Sequence, residues 1–129
     1  MKTWKSGVVL GVTALACAVG LVAAGPASAS GSVRTSGGEA GVDFQSYGEH
    51  FTVHDYKADG IATAGYLWAL LNGSWHRYAE VVDRNGYAGS PVTVNYSIPE
   101  GTQVAYQACL GASDSPGGQS CTDFHYDTA

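Results

Sequence analysis

Residues Ile61–Val82 read IATAGYLWALLNGSWHRYAEVV, and this stretch decides the fold. Asn72-Gly73 is the strongest short hairpin signal a sequence offers, because a type I′ turn needs positive φ at both central positions. On either side run Tyr, Trp, Leu and Val, which suit a pleated, half-buried surface. With the turn at Asn72-Gly73, Leu71 faces Ser74. The next pairs are Leu70/Trp75, Ala69/His76, Trp68/Arg77, Leu67/Tyr78 and Tyr66/Ala79. Side chains alternate between faces, so one face collects Ala64, Tyr66, Trp68, Leu70, Trp75, Arg77, Ala79 and Val81. The bulk of that face predicts that it is the core, with Arg77 at a rim over Trp68. The other face carries Leu67, Ala69, Leu71, His76, Tyr78 and Glu80, and is then too apolar for an ordinary solvated surface. Leu67, Leu71, His76 and Tyr78 become the candidate ligand-binding patch. The competing reading is a cover, with Val42–Tyr47 folding over this face through Phe44 and Tyr47.

The rest of the chain has the same punctuation. His50–Tyr56 alternates with Phe51 and Val53 on one side, and Lys57–Gly60 turns. Val92, Val94, Tyr96 and Ile98 alternate with Thr93, Asn95 and Ser97. After Pro99-Glu100-Gly101, Val104, Tyr106 and Ala108 line the inside of a further strand, and Thr122–Tyr126 reads as the last. Six to seven short strands with no helix-period stretch predict an all-β fold: a single antiparallel β-sandwich of the immunoglobulin/fibronectin type. Ser30–Gly41 is dominated by Ser and Gly, so residues 30–46 are expected to be a flexible arm and lead-in. The sandwich domain is expected over 47–129.

Ahead of it, Lys2 and Lys5 precede the uncharged apolar run Val8–Ala24, then Gly25-Pro26 and the small residues Ala27-Ser28-Ala29. That order predicts a secretory signal peptide over 1–29, cleaved before Ser30, leaving a secreted, extracellular chain that is not membrane-embedded. A 17-residue run is barely long enough to span hydrocarbon, and no basic stop-transfer cluster follows it. Cleavage leaves four basic against eleven acidic side chains, a formal net charge of −7. Nucleic-acid binders concentrate Lys and Arg, so no nucleic-acid partner is expected. Cleavage also removes Cys17 and leaves Cys109 and Cys121 in an oxidising compartment. A C-x11-C spacing fits neither redox nor zinc chemistry, which predicts one structural disulfide. The Gly- and Pro-bearing segment between them can turn sharply enough to let its ends meet.

Most site chemistries fail on spacing. His50 and His54 fall on a strand, where four residues span ~13 Å, too far for two ligands on one ion. Asp55–Gly60 resembles a calcium loop at three positions, but Lys57 and Tyr66 stand where carboxylates are required. No nucleophile elbow and no phosphate-cradling glycine loop occur, and a sandwich this small has little volume for a cleft. No metal, no cofactor and no catalytic residue is assigned, and an enzyme is not expected. What exceeds expectation is aromatic content: 13 of the 100 residues after Ala29, eight of them Tyr. Amphipathic rings with few charges around them suit a neutral polysaccharide or a protein contact.

The run Asp55–Gly60, then Asn72-Gly73-Ser74-Trp75-His76, then Pro99–Thr102 through Tyr106 and Ala108-Cys109-Leu110-Gly111, resembles a group of small secreted actinobacterial proteins. The resemblance covers about 80 residues and implies export and a disulfide-closed β-sandwich, but no activity. Trp75-His76-Arg77-Tyr78 is also similar to the Trp-Arg-Tyr triplet of the secreted proteinaceous α-amylase inhibitors, with a histidine inserted. That insertion puts Trp75 and Arg77 on one side of the strand and Tyr78 on the other, and the inhibitors' two disulfides have no counterpart here. These readings point to a secreted, non-catalytic module binding an extracellular polysaccharide or protein through the Leu67/Tyr78 face. The alternatives are an inhibitor of an extracellular hydrolase acting through the Asn72–Tyr78 hairpin, and a homodimer burying the same face.

Overall fold

In the computed structural model, which describes residues 30–129, the central hairpin is formed by β4 (Thr63–Leu71) and β5 (Ser74–Asp83). Asn72 and Gly73 take φ values of 53° and 81°, the pair of positive angles that a type I′ turn requires. Pairing runs Leu71/Ser74, Leu70/Trp75, Ala69/His76 and Trp68/Arg77, then slips by one residue, so that Leu67 faces Ala79 and Tyr66 faces Glu80. Tyr78 is the extra residue of this β-bulge.

Around the hairpin the described residues build two antiparallel sheets packed as an all-β sandwich, as expected, with nine strands rather than six or seven. β1 (Ser30–Arg34), β2 (Ala40–Gln45), β3 (His50–Asp55) and β6 (Val92–Asn95) form one, in the order β1-β2-β3-β6. The other has the order β5-β4-β7, with β7 (Gln103–Leu110) also pairing β8 (Ser120–Cys121) and β9 (His125–Thr128). The expected leader, residues 1–29, lies outside the described residues. Among those described, no helix is long and apolar enough to cross a membrane.

The core is built from facing rows. Val42 pairs with Val53, which pairs with Val92; Phe44 pairs with Phe51, which pairs with Val94. Against these the second sheet sets Leu67, Ala69, Val81, Val104, Tyr106 and Ala108, all buried. Phe44 and Phe51 both meet the ring of Tyr106, with centroids 5.6 and 6.4 Å away. Gly65 lies where side chains of the facing sheet come close to the β4 backbone. A Cβ there would be 2.7 Å from Cγ2 of both Val42 and Val53. Gly65→Ala is therefore expected to cost about 1–3 kcal/mol through overpacking, read as a lowered urea midpoint at unchanged m-value.

Three expectations are corrected here. The first concerns the hairpin's faces: the Leu67 side is the core side, and the Tyr66/Trp68/Leu70/Trp75/Arg77 side points outward. Two aromatic residues from the facing sheet and Tyr106 from β7 already fill the interior, which leaves room beside them for Leu, Ala and Gly but not for Trp. The bulge then carries Ala79 and Val81 from the face assigned to them onto the inner one, opposite Leu67 and Gly65. Arg77 lies over the ring of Tyr66, 5.7 Å from its centroid, rather than over Trp68.

The second is the N-terminal arm. Residues 30–46 are not a tether: β1 pairs β2 from Ser30/Gln45 to Arg34/Gly41, and the folded unit includes them as well as 47–129. Without β1, β2 would be an edge strand with open N–H and C=O groups, and a Ser/Gly-rich segment can supply their backbone partners whatever its side chains. Val33 packs on the core, and the Arg34 guanidinium lies 3.9 Å from the Tyr56 ring centroid. The third is the final strand. Most of Thr122–Tyr126 is not strand: β8 ends at Cys121, residues 122–124 form a break, and β9 begins only at His125 and runs to Thr128.

Cys109 and Cys121 face each other across β7 and β8 and are disulfide-bonded, as the sequence requires. The enclosed loop folds onto the outer face of the second sheet. There the Gln119 side-chain amide donates to Tyr66 Oη at 2.9 Å, and that hydroxyl donates to Glu80 at 2.9 Å. Tyr66, Ala64 and Cys109 form a second small buried cluster beneath it. Reduction of the bond is expected to cost roughly 3 kcal/mol from chain entropy, seen as a lower melting temperature in thiol-containing buffer.

Candidate functional site

The four residues assigned to ligand binding do not form a surface patch. Leu67 is 0% exposed, and Leu71 and Tyr78 are half-buried against the core. Tyr78 donates its hydroxyl to the Ser97 carbonyl at 3.0 Å and meets Tyr96 edge-on. Only His76 of the four is exposed, on the edge strand opposite Ala69. The cover is the one weighed from the sequence, with Phe44 in the expected role and Val42 in place of Tyr47. Val42 and Phe44 enter the core, whereas Tyr47 points away and is 83% exposed.

Three of the five exposed aromatic residues, Trp75, Phe124 and Tyr126, gather with Trp68 on the opposite side of the same hairpin, while Tyr47 and Tyr87 lie elsewhere. Trp68 pairs with Ala105 of β7, and Ala105 pairs with Tyr126 of β9, so the three lie in one row across the outer face. The methyl group of Ala105 sets a low floor between two tall aromatic walls. Trp75 meets Tyr126 edge-on at one point, with centroids 5.9 Å apart, and Trp68 meets Phe124 at 6.2 Å at another. The result is a groove of about 310 Å3 lined by Trp68, Trp75, Ala105, Phe124 and Tyr126. Trp75, Phe124 and Tyr126 are 40%, 41% and 64% exposed.

This groove exists because the disulfide loop covers only part of the outer face. The loop buries Tyr66 and Cys109 but leaves the Trp68–Tyr126 row uncovered. Beyond Tyr126 a second, polar hollow of about 300 Å3 continues over Gln103, Asp127 and Thr128. Asp127 alternates with Tyr126 and turns its carboxylate to the inner side, where it accepts from the Tyr106 hydroxyl at 2.6 Å.

The loops at one end of the sandwich form two larger hollows, of about 550 and 640 Å3, which share Gly60, Ile61, Ala62 and Arg84. Their polar groups are mostly paired internally. Arg84 forks onto both oxygens of Asp114, and buried Asp83 accepts from the backbone N–H groups of Asp55 and Asn85. Burial, with the Asp59 and Asp83 charges nearby, raises the Asp55 carboxyl above its usual range despite the Lys57 N–H that it accepts. His54 Nε2 lies 2.7 Å from Asp43, with its ring stacked on Tyr56. Among the described residues no group of three or more His, Cys, Asp or Glu side chains is arranged to hold a metal ion.

The Trp75-His76-Arg77-Tyr78 string is divided. Trp75 and Arg77 project outward, while Tyr78 is turned toward Tyr96. Sequence reasoning named neither Phe124 nor Tyr126 as a site residue, because both belong to the distant C-terminal segment and reach the groove only through the β7/β9 pairing. The available signal was the string Phe124-His125-Tyr126 itself, with two aromatic residues at strand spacing. Comparison with protein-family models, with curated proteins and with solved structures finds no match, so the geometry of the groove carries the functional reading.

Proposed function

We propose that this is a secreted, non-catalytic β-sandwich module that binds an extracellular polymer surface through the outer aromatic face of its second sheet. One observation carries the reading. Trp68, Trp75, Phe124 and Tyr126 line an open groove on a sheet face where a solvated strand would present polar side chains. Secretion rests on the leader-like residues 1–29 and agrees with a disulfide, which persists in oxidising compartments. The module reading rests on what the groove contains: aromatic walls for contact and no nucleophile, base or oxyanion donor set between them.

The test pairs retention with folding. Wild-type protein and the double variant Trp75→Ala/Tyr126→Ala are mixed with insoluble polysaccharides and with cell-wall material, and are also used to capture proteins from culture filtrate. Retention on one of these surfaces is expected, with at least a tenfold loss in the double variant, because exposed aromatic anchors dominate such contacts. Half-exposed side chains outside the core contribute little to folding, about 1 kcal/mol at most for the pair, so the melting temperature should fall by no more than about 4–8 °C. Equal retention of both proteins, or no retention on any surface, would overturn the reading.

A further inference from the structure

Resting on the aromatic face as the contact surface, we infer that its ligand is a neutral glycan chain, which stacks in the Trp75/Tyr126 groove and continues over Gln103 and Thr128. Three features of the site converge on that class. The first is size. At about 310 Å3 the groove is at the small end of the range for small-molecule sites, roughly 300–1,000 Å3.

The second feature is the order of chemistry along the surface. The apolar groove and the polar hollow beside it share Tyr126. A sugar ring offers the same two kinds of surface, C–H faces that lie against aromatic rings and hydroxyls around the rim that exchange hydrogen bonds. Gln103 and Thr128 are paired across β7 and β9 and both are exposed. They supply an amide and a hydroxyl, which donate and accept equally well. A chain of sugars has one unit to stack and the next to hydrogen-bond, and the two hollows provide for them in sequence.

The third feature is charge. Neither hollow contains Lys or Arg, and the one carboxylate, Asp127, is already held by Tyr106. With four basic and eleven acidic side chains over residues 30–129, the module repels an anionic polymer, and Arg77, outward beside Trp68, lies over the Tyr66 ring rather than in the groove. Neutral sugars avoid both penalties.

The inference is tested by titrating cellohexaose, chitohexaose and maltohexaose, with oligogalacturonate as the anionic control, into wild type and three variants by calorimetry. Wild type should bind one neutral hexasaccharide and not oligogalacturonate. Trp75→Ala should weaken that binding at least tenfold, and Gln103→Ala about fivefold, the size of one hydrogen bond. Ala105→Leu raises the groove floor without removing any aromatic group, and should also weaken binding at least tenfold. Far-UV circular dichroism and melting curves establish that each variant is folded. No binding of any neutral glycan at millimolar concentration overturns the inference. The aromatic-face reading survives that result if Trp75→Ala/Tyr126→Ala still abolishes retention of a protein from culture filtrate. Preference for oligogalacturonate, or hexasaccharide binding untouched by Trp75→Ala and Ala105→Leu, overturns the inference as well, the latter together with the assignment of the face.

Discussion

Leu67→Ser should lower folding stability by about 4–6 kcal/mol, close to the whole stability of a domain of this size. Truncating a buried Leu costs about 2–5 kcal/mol through lost transfer energy and the cavity left behind. A serine hydroxyl adds about 1–3 kcal/mol if it finds no partner there. Leu67 is fully buried against Tyr106 and the facing sheet, and its strand neighbours Tyr66 and Trp68 point the other way. A domain of 100 residues has roughly 5–15 kcal/mol to lose, so the variant should be unfolded or barely folded at 25 °C. Urea denaturation followed by tryptophan fluorescence measures this, with Trp75→Ala as the outward-facing control that keeps its midpoint. If Leu67→Ser kept the wild-type midpoint, the two faces of the hairpin would have to be exchanged, and the aromatic groove would become core.

Tyr106→Ala should cost about 3–5 kcal/mol, and the milder Tyr106→Phe isolates the polar part of that loss. Tyr106 is the largest fully buried side chain and the point where Phe44 and Phe51 meet. Its hydroxyl donates to the Asp127 carboxylate at 2.6 Å, with His125 Nε2 3.8 Å from the same oxygen. Removing the donor leaves a mostly buried carboxylate short of a partner, for which about 1.5–3 kcal/mol is expected. The phenol also predicts a pH dependence. Burial first, then the bond to Asp127 and its charge, push Tyr106 well above the usual tyrosine range. In the unfolded chain it ionises near pH ~10. Its contribution is therefore complete below that pH and is lost as the pH rises further, because only the unfolded state gains by releasing the proton. Tyr106→Phe should lose less stability between neutral and strongly alkaline pH than wild type does, in paired urea titrations. Equal alkaline losses would show that the phenol ionises as readily in the folded protein as outside it.

These two variants also mark where sequence reasoning ran out. The turn at Asn72-Gly73 was legible, and so was the pairing from Leu71/Ser74 to Trp68/Arg77, because turn chemistry fixes register locally. The bulge at Tyr78 was not. Nothing in Arg77-Tyr78-Ala79 marks an extra residue, and from there onward each β5 side chain shares a face with the other set of β4 residues, which leaves Ala79 and Val81 on the core side although Trp68 is not. The candidate patch failed for a different reason. Alternation shows which residues share a face, but it does not show which face meets another sheet. Assigning the bulkier set to the interior neglected Phe44, Phe51 and Tyr106, which come from three other strands and occupy the same space.

The sequence by itself determined the strands between His50 and Leu110, the hairpin turn, the cysteine pair and the poverty of charge, because each depends on residues close together or on simple composition. Tertiary structure alone decided which side of the hairpin is core, that residues 30–34 form an edge strand, and that Trp68, Trp75, Phe124 and Tyr126 meet. Those outcomes depend on long-range pairing: β7 joins β4 to β9, and the facing sheet fills the space over Leu67. Local alternation is symmetrical between two faces, and only the volume supplied by distant strands breaks that symmetry.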